Sequence, residues 1–230
     1  IKLALPALDM KRICYILIFL SLYLAAFAQK GKFYLTHYAP TNDQLTNDNF
    51  AIMQDAKQQM LFANSKGVLK FDGRYWQLIN TPSTALSIAN YKVEEENFIG
   101  CIDDIGYIEI DRSGGEIYKS IASFKTKPAY FSKVVTNATY AYFLGKDVLI
   151  QYSKSERKIT GKWAASSGYF FSHLFNIGEN IFAFDPQMGF FGFEQGKLAA
   201  LKTDITSLPS LAFAGMADAC LLYTSDAADE

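Results

Sequence analysis

The chain is poor in histidine. His37 and His173 are the only two, too few for a metal centre that takes three or four protein ligands. An excess of basic residues is missing as well: 22 Lys and Arg stand against 23 Asp and Glu, for a net charge of −1. No cationic surplus is available to displace counterions, so nucleic acid is not an expected partner of this region. The three cysteines make no disulfide framework. Cys14 lies in an N-terminal apolar run and Cys220 in a tail unlike the rest. Cys101 is left, and a lone cysteine in a strand reads as a small buried hydrophobe. Only 6 Pro and 15 Gly occur, and no long low-complexity linker does. No segment sustains a 3.6-residue apolar period, which disfavours helices between strands and hence an α/β fold.

Half of the residues are hydrophobic, with 19 Phe and 14 Tyr, a composition suited to strands. The two ends read differently from the middle. Residues 1–9 precede the first methionine, Met10, and read as translated upstream sequence. Residues 10–28 read as a secretory signal peptide: Lys11 and Arg12, an apolar run over 13–24 too short for a comfortable membrane span, then Ala26-Phe27-Ala28, with cleavage after Ala28. An uncleaved anchor is the alternative. Residues 29–49 form a polar lead-in. The tail at 220–230, CLLYTSDAADE, resembles the conceptual translation of a sequencing adapter and is set aside. The native sequence is then expected to depart from this one near Ala219 and to continue.

Residues 50–79 set the pattern for what lies between. Strands are expected at 50–55, 60–63, 68–71 and 75–79. Asn64-Ser65-Lys66-Gly67 is a hairpin loop in which Gly67 is free to take positive φ. Asp72-Gly73 is a tight-turn signal. The grammar returns with strands at 84–91, 98–102, 106–110 and 116–121, then at 131–135, 140–144, 148–152 and 158–163. A fourth unit follows at 171–177, 181–184, 190–193 and 198–202, and 210–216 would open a fifth. Third strands begin at Gly67, Gly106, Val148 and Gly189, spacings of 39, 42 and 41 residues. Four strands per unit at a period of about 40 residues is the spacing of a β-propeller. The expected fold is therefore all-β: a partial propeller of about four blades plus the first strand of a fifth, over residues 50–219. An open row of blades leaves edges uncovered, so residues 29–219 alone are expected to aggregate.

Several propeller families lack their marks here. Trp76 is followed by Gln and Trp163 by Ala, so there is no Trp-Asp pair of the WD40 kind. No sialidase-type Asp box occurs, and Gly114-Gly115 is a single pair, not a kelch repeat. Other residues do carry a resemblance. Phe50-Ala-Ile-Met-Gln-Asp55, Leu61-Phe-Ala-Asn64 and Gly67-Val-Leu-Lys-Phe-Asp-Gly73, ending at Trp76, resemble the blade of the two-component regulator propeller, above all in the triple-tyrosine regulators of Bacteroidetes. In blade two, Ile99-Gly100 and Gly106-Tyr107 match more loosely. Blades three and four depart, with Lys146-Asp147 and Met188-Gly189 where the family has a plain glycine hairpin. The resemblance implies the periplasmic sensor half of a membrane-anchored regulator. A tyrosine-motif sandwich, a membrane helix and a kinase or helix-turn-helix output domain would lie further on, and a second copy of the full-length protein is a candidate partner. It also implies an oligosaccharide or another small extracellular ligand.

Candidate site residues are few. Trp76, Tyr75 and Trp163 are candidates for stacking on a sugar ring, with blade packing as the alternative. Asp103 and Asp104 form a carboxylate pair. Acid–base work needs two different environments for such a pair, and adjacent residues of an exposed turn are expected to share one. Asp72 and Asp111 sit at turns, where Asp caps backbone amides. His173 is expected to share a strand face with Phe171 and Phe175, packed and hydrogen-bonded. Asn137-Ala138-Thr139 fits a glycosylation pattern, for which loop chemistry is sufficient. No catalytic residue, metal site or cofactor is expected. The reading is a non-enzymatic, exported ligand-sensing domain. A secreted propeller lyase or glycosidase, or a carbohydrate-binding scaffold, is the alternative.

Overall fold

The computed structural model describes Tyr15, Tyr38 and residues 45–55, 57–91, 96–201, 213–216 and 222–224. The chain divides into two units, Ile1–Ala39 and Pro40–Glu230, and the fold below is that of the second. Residues 1–9, the segment 10–28 expected to be a signal peptide, and His37 lie outside the described residues, save Tyr15.

Four antiparallel sheets of four strands follow one another along the chain. The first holds β1 (Asn49–Gln54), β2 (Met60–Asn64), β3 (Gly67–Phe71) and β4 (Trp76–Asn80). The second holds β5 (Ala85–Ala89), β6 (Asn97–Cys101), β7 (Asp104–Ile110) and β8 (Glu116–Ser123). The third holds β9 (Lys133–Thr136), β10 (Tyr140–Gly145), β11 (Val148–Ser153) and β12 (Lys158–Ala164), and the fourth β13 (His173–Ile177), β14 (Asn180–Asp185), β15 (Gly189–Glu194) and β16 (Lys197–Ala200). A 3-10 turn, Ala165–Ser167, joins the third sheet to the fourth. Each sheet is a meander in which every strand pairs with the next. The first strands neighbour one another in series, β1 with β5, β5 with β9 and β9 with β13. This is the order of propeller blades with their first strands innermost.

Burial follows from that arrangement. A middle strand is covered on both faces by adjacent blades, so it reads as a continuous apolar run, and β3 and β6 are buried throughout. Successive side chains point to opposite faces and join different cores. Phe98 packs toward blade three with Phe131, Phe143 and Ile150. Its neighbour Ile99 packs toward blade one with Leu61, Val68 and Ile79. Tyr142, Leu144 and Leu149 pack toward blade four with Leu174, Ile181 and Phe191. Outer strands are half-exposed, as the pattern of β8 shows.

Polar side chains fasten blade to blade. Ser87 donates to the Phe131 carbonyl at 2.7 Å. Lys70 reaches Glu116 at 2.5 Å. Gln151, 1% exposed, donates through Nε2 to Tyr142 Oη at 2.8 Å and to the Gly196 carbonyl at 2.9 Å, and accepts from Thr160 at 2.9 Å. At the first hairpin, Gly67 takes φ 138°, and a Cβ there would lie 2.5 Å from the Ile79 carbonyl oxygen. Both the turn and the approach of β4 require glycine.

Three expectations need correction. The third strand of blade two begins at Asp104, not Gly106, because the side chain of Asp104 is bonded into β8 and draws the backbone into the ladder. Phe171 does not share a face with His173 and Phe175. The strand starts only at His173, and Phe171 turns into the core against blade three while His173 lies opposite Phe184. The first strand of blade three likewise starts at Lys133, and Phe131 ahead of it is fully buried. Of the residues expected to open a fifth blade, Phe213–Met216 forms β17, which runs antiparallel to β18 (Leu222–Thr224) in the tail set aside above.

Candidate functional site

Asp103 and Asp104 occupy the hairpin between β6 and β7, and the expected shared, solvated turn is not what forms there. Asp104 is 2% exposed, while Asp103 is half-buried. The Asp104 carboxylate accepts hydrogen bonds from Tyr118 Oη at 2.7 Å and Ser120 Oγ at 2.9 Å, both on β8. Burial raises its pKa above the usual carboxylate value, against the pull of those two bonds. Asp103 Oδ1 is buried without a hydrogen-bond partner among the described residues. Cys101 lies beside Tyr118, its Sγ 4.0 Å from the phenol oxygen, and burial pushes its thiol up to about 12. Burial raises the Tyr118 phenol as well. The adjacent carboxylates therefore do sit in two environments. The buried one is bonded within its own sheet, a role that holds β7 to β8.

Tyr75 and Trp76 part company. Tyr75 is 63% exposed, with the Arg74 guanidinium 5.1 Å from its ring centroid. Trp76 stacks on Phe71 at 4.6 Å and lies 5.4 Å from Phe62. Trp163 packs on Phe193 at 5.4 Å. Both tryptophans thus pack within and between blades, and Tyr75 alone of the aromatic candidates offers an open ring.

The turn residues behave as turn chemistry dictates. Asp72 accepts from the amides of Arg74 and Tyr75 at 2.8 and 2.7 Å, and the Tyr75 amide leads in lowering its pKa. Asp111 accepts from Ser113 Oγ at 2.6 Å and from the Ser113 and Gly115 amides at 2.8 Å, with Ser113 leading in lowering its pKa. Asn137 accepts from the Thr139 and Tyr140 amides and donates to the Glu179 carbonyl. His173 Nδ1 lies 2.9 Å from Ser172 Oγ. Among the described residues, no three His, Cys, Asp or Glu converge as metal ligands.

One feature escaped sequence reasoning. A groove of about 580 Å³ opens between the outer halves of blades two and three. Tyr107 and Tyr152 form its floor, with ring centroids 6.5 Å apart. Lys119 and Ile121 line one wall; Arg157, Lys158 and Ile159 line the other. Arg157 lies 5.2 Å and Lys119 Nζ 6.0 Å from the Tyr107 centroid. Lys119 bonds Glu109 at 3.0 Å, and Arg157 pairs with Glu96 of the neighbouring blade. Residues from strands some forty positions apart meet here, and each alone reads as an ordinary strand residue. Only the alternation Ile117–Lys119–Ile121 hinted that an outer strand keeps apolar side chains near solvent.

No protein-family model matches the chain, and no curated protein matches it in sequence. Solved structures do match. The extracellular domain of a one-component system from B. thetaiotaomicron aligns with a TM-score of 0.53 at 14% identity, over 77% of this chain and 25% of its own. A second structure of the same B. thetaiotaomicron domain, described there as that of a hybrid two-component system, gives 0.53 and 14%, over 77% of this chain and 24% of its own. Hydrazine synthase of Kuenenia stuttgartiensis gives 0.50 and 12%, over 71% and 51%. At such identities the likeness is one of fold. The chain spans about a quarter of the length of the first two structures and half of the third.

Proposed function

We propose that this chain is the ligand-sensing propeller region of an exported, membrane-bound signalling or transcription regulator, and that the region itself is not catalytic. The observation that carries the reading is the run of four meander blades in the fold also found in the extracellular domain of a hybrid two-component system. The blade-one residues from Phe50 to Trp76 support it, since their resemblance to the regulator blade is read from sequence and not from the fold. The segment 10–28 supports export. A non-catalytic role accords with the buried carboxylate of Asp104, whose bonds to Tyr118 and Ser120 serve the sheet. The ligand under this reading is a small extracellular molecule, with an oligosaccharide as the first class to screen and Tyr75 as an open contact. Signalling would follow if ligand-dependent packing of the blades biased a two-state element across the membrane.

The test is to read the gene past the codon for Ala219. The expected result is further blades, then an apolar stretch of about 20 residues and an output domain. A reading frame that closes after the last blade with no such stretch overturns the proposal.

A further inference from the structure

We propose that the groove between blades two and three docks an extended polypeptide segment of a partner protein, one that alternates apolar and acidic side chains. The walls carry the argument. On β8, Lys119 stands opposite Tyr107 and lines the wall together with Ile121, while Ile117, opposite Glu109, lies on the same strand just beyond the lining. Ile117 is 42% exposed although it belongs to a face that elsewhere packs on blade three. Ile159, 37% exposed, stands opposite Tyr152 on the facing wall. Apolar and cationic side chains therefore alternate along this face of β8 at the spacing of same-face strand residues, about 7 Å. An extended chain has that same repeat, and its complement is apolar–acidic–apolar.

Charge points the same way. The lining holds three cations, Lys119, Arg157 and Lys158, and one carboxylate, Glu109. The carboxylates that pair with Arg157 and Lys158, Glu96 and Glu156, lie outside the lining. These pairs are part-exposed, and ion pairs of that kind contribute little, so an incoming acid can replace Glu96 or Glu156. A sugar fits less well. It needs an open aromatic face, and Tyr107 and Tyr152 are 7% and 2% exposed, with two cations already over Tyr107. The groove is the recess left where two wedge-shaped blades diverge, and its occupant gains contact with both.

Fluorescence anisotropy on the full chain tests this, with three capped peptides of about eight residues, the length of β8. One alternates valine and glutamate, one has the same composition with its glutamates contiguous, and one alternates valine and lysine. The first is expected to bind, and the other two on the order of tenfold more weakly. Lys119→Glu and Ile159→Asp, each at an exposed position and each checked for an unchanged melt, are expected to weaken the first peptide to a similar degree. Equal binding of the three peptides, no binding of any, or binding indifferent to both substitutions overturns the proposal. So does a neutral oligosaccharide whose binding the same substitutions abolish. The sensor reading does not depend on the outcome, since its own test lies in the downstream gene.

Discussion

Tyr118 on β8 donates its phenolic hydrogen to Asp104 Oδ1 on β7 at 2.7 Å, and its ring passes directly over Gly106 to do so. The bond closes the strand pair at the point where the ladder shifts register, between Ile105 and Gly106. Tyr118→Phe leaves a buried carboxylate one donor short, so a loss of about 1–3 kcal/mol is expected. Urea unfolding measures it, and an unchanged midpoint would refute the structural role.

The same carboxylate makes stability depend on pH. Burial raises the pKa of Asp104 above 3.8, its value in an unfolded chain. A raised carboxylate favours the folded state most when protonated, so its contribution is present below 3.8 and is lost as pH rises through the folded value. Relative to Asp104→Asn, the wild type should therefore gain melting temperature as pH falls from neutral toward 3.8. Parallel curves for the two proteins would contradict this.

Two glycines should respond differently to alanine. A Cβ at Gly106 would collide with the Lys119 carbonyl and the Tyr118 ring, so Gly106→Ala should cost roughly 3 kcal/mol or more. Gly114 has φ 84° and open space around it, so Gly114→Ala bears only left-handed strain, about 1 kcal/mol. Thermal melts of the two variants side by side decide the matter.

Tyr75 and Trp76 separate binding from folding. Trp76→Ala should cost about 3 kcal/mol, since the indole packs on Phe71 and Phe62. Tyr75→Ala should change stability by less than about 0.5 kcal/mol and should weaken any ligand that stacks there. A ligand found by thermal-shift screening and indifferent to Tyr75→Ala removes that residue from the site.

Cys101 should resist alkylation in the native protein, because its thiol is buried and pushed up to about 12. Peptide mapping after iodoacetamide treatment is expected to show Cys101 modified only once denaturant is added. Labelling at neutral pH without denaturant would count against the packing around Tyr118.

Most of the blade pattern was legible in sequence because its signals are local. Asp72-Gly73, the Asn64-to-Gly67 hairpin and the apolar runs each follow from neighbours a few residues away. Strand ends were less legible. Phe131 and Phe171 look like strand residues, yet each is buried just ahead of its strand, anchoring the connection between blades. Gly106 read as the start of a third strand and lies instead inside it, as the floor under Tyr118, twelve residues away in sequence.

By itself the sequence determined the fold class, the four strands per unit and the period of about forty residues. Those depend on side-chain alternation and turn chemistry within one blade. Tertiary structure decided which carboxylate is buried, which aromatic ring stays open and that a groove lies between blades two and three. The carboxylate depends on bonds across its own sheet, and the groove on how one blade wedges against the next. That packing joins residues about forty positions apart, at a distance where no local pattern in the chain reports who the neighbour will be.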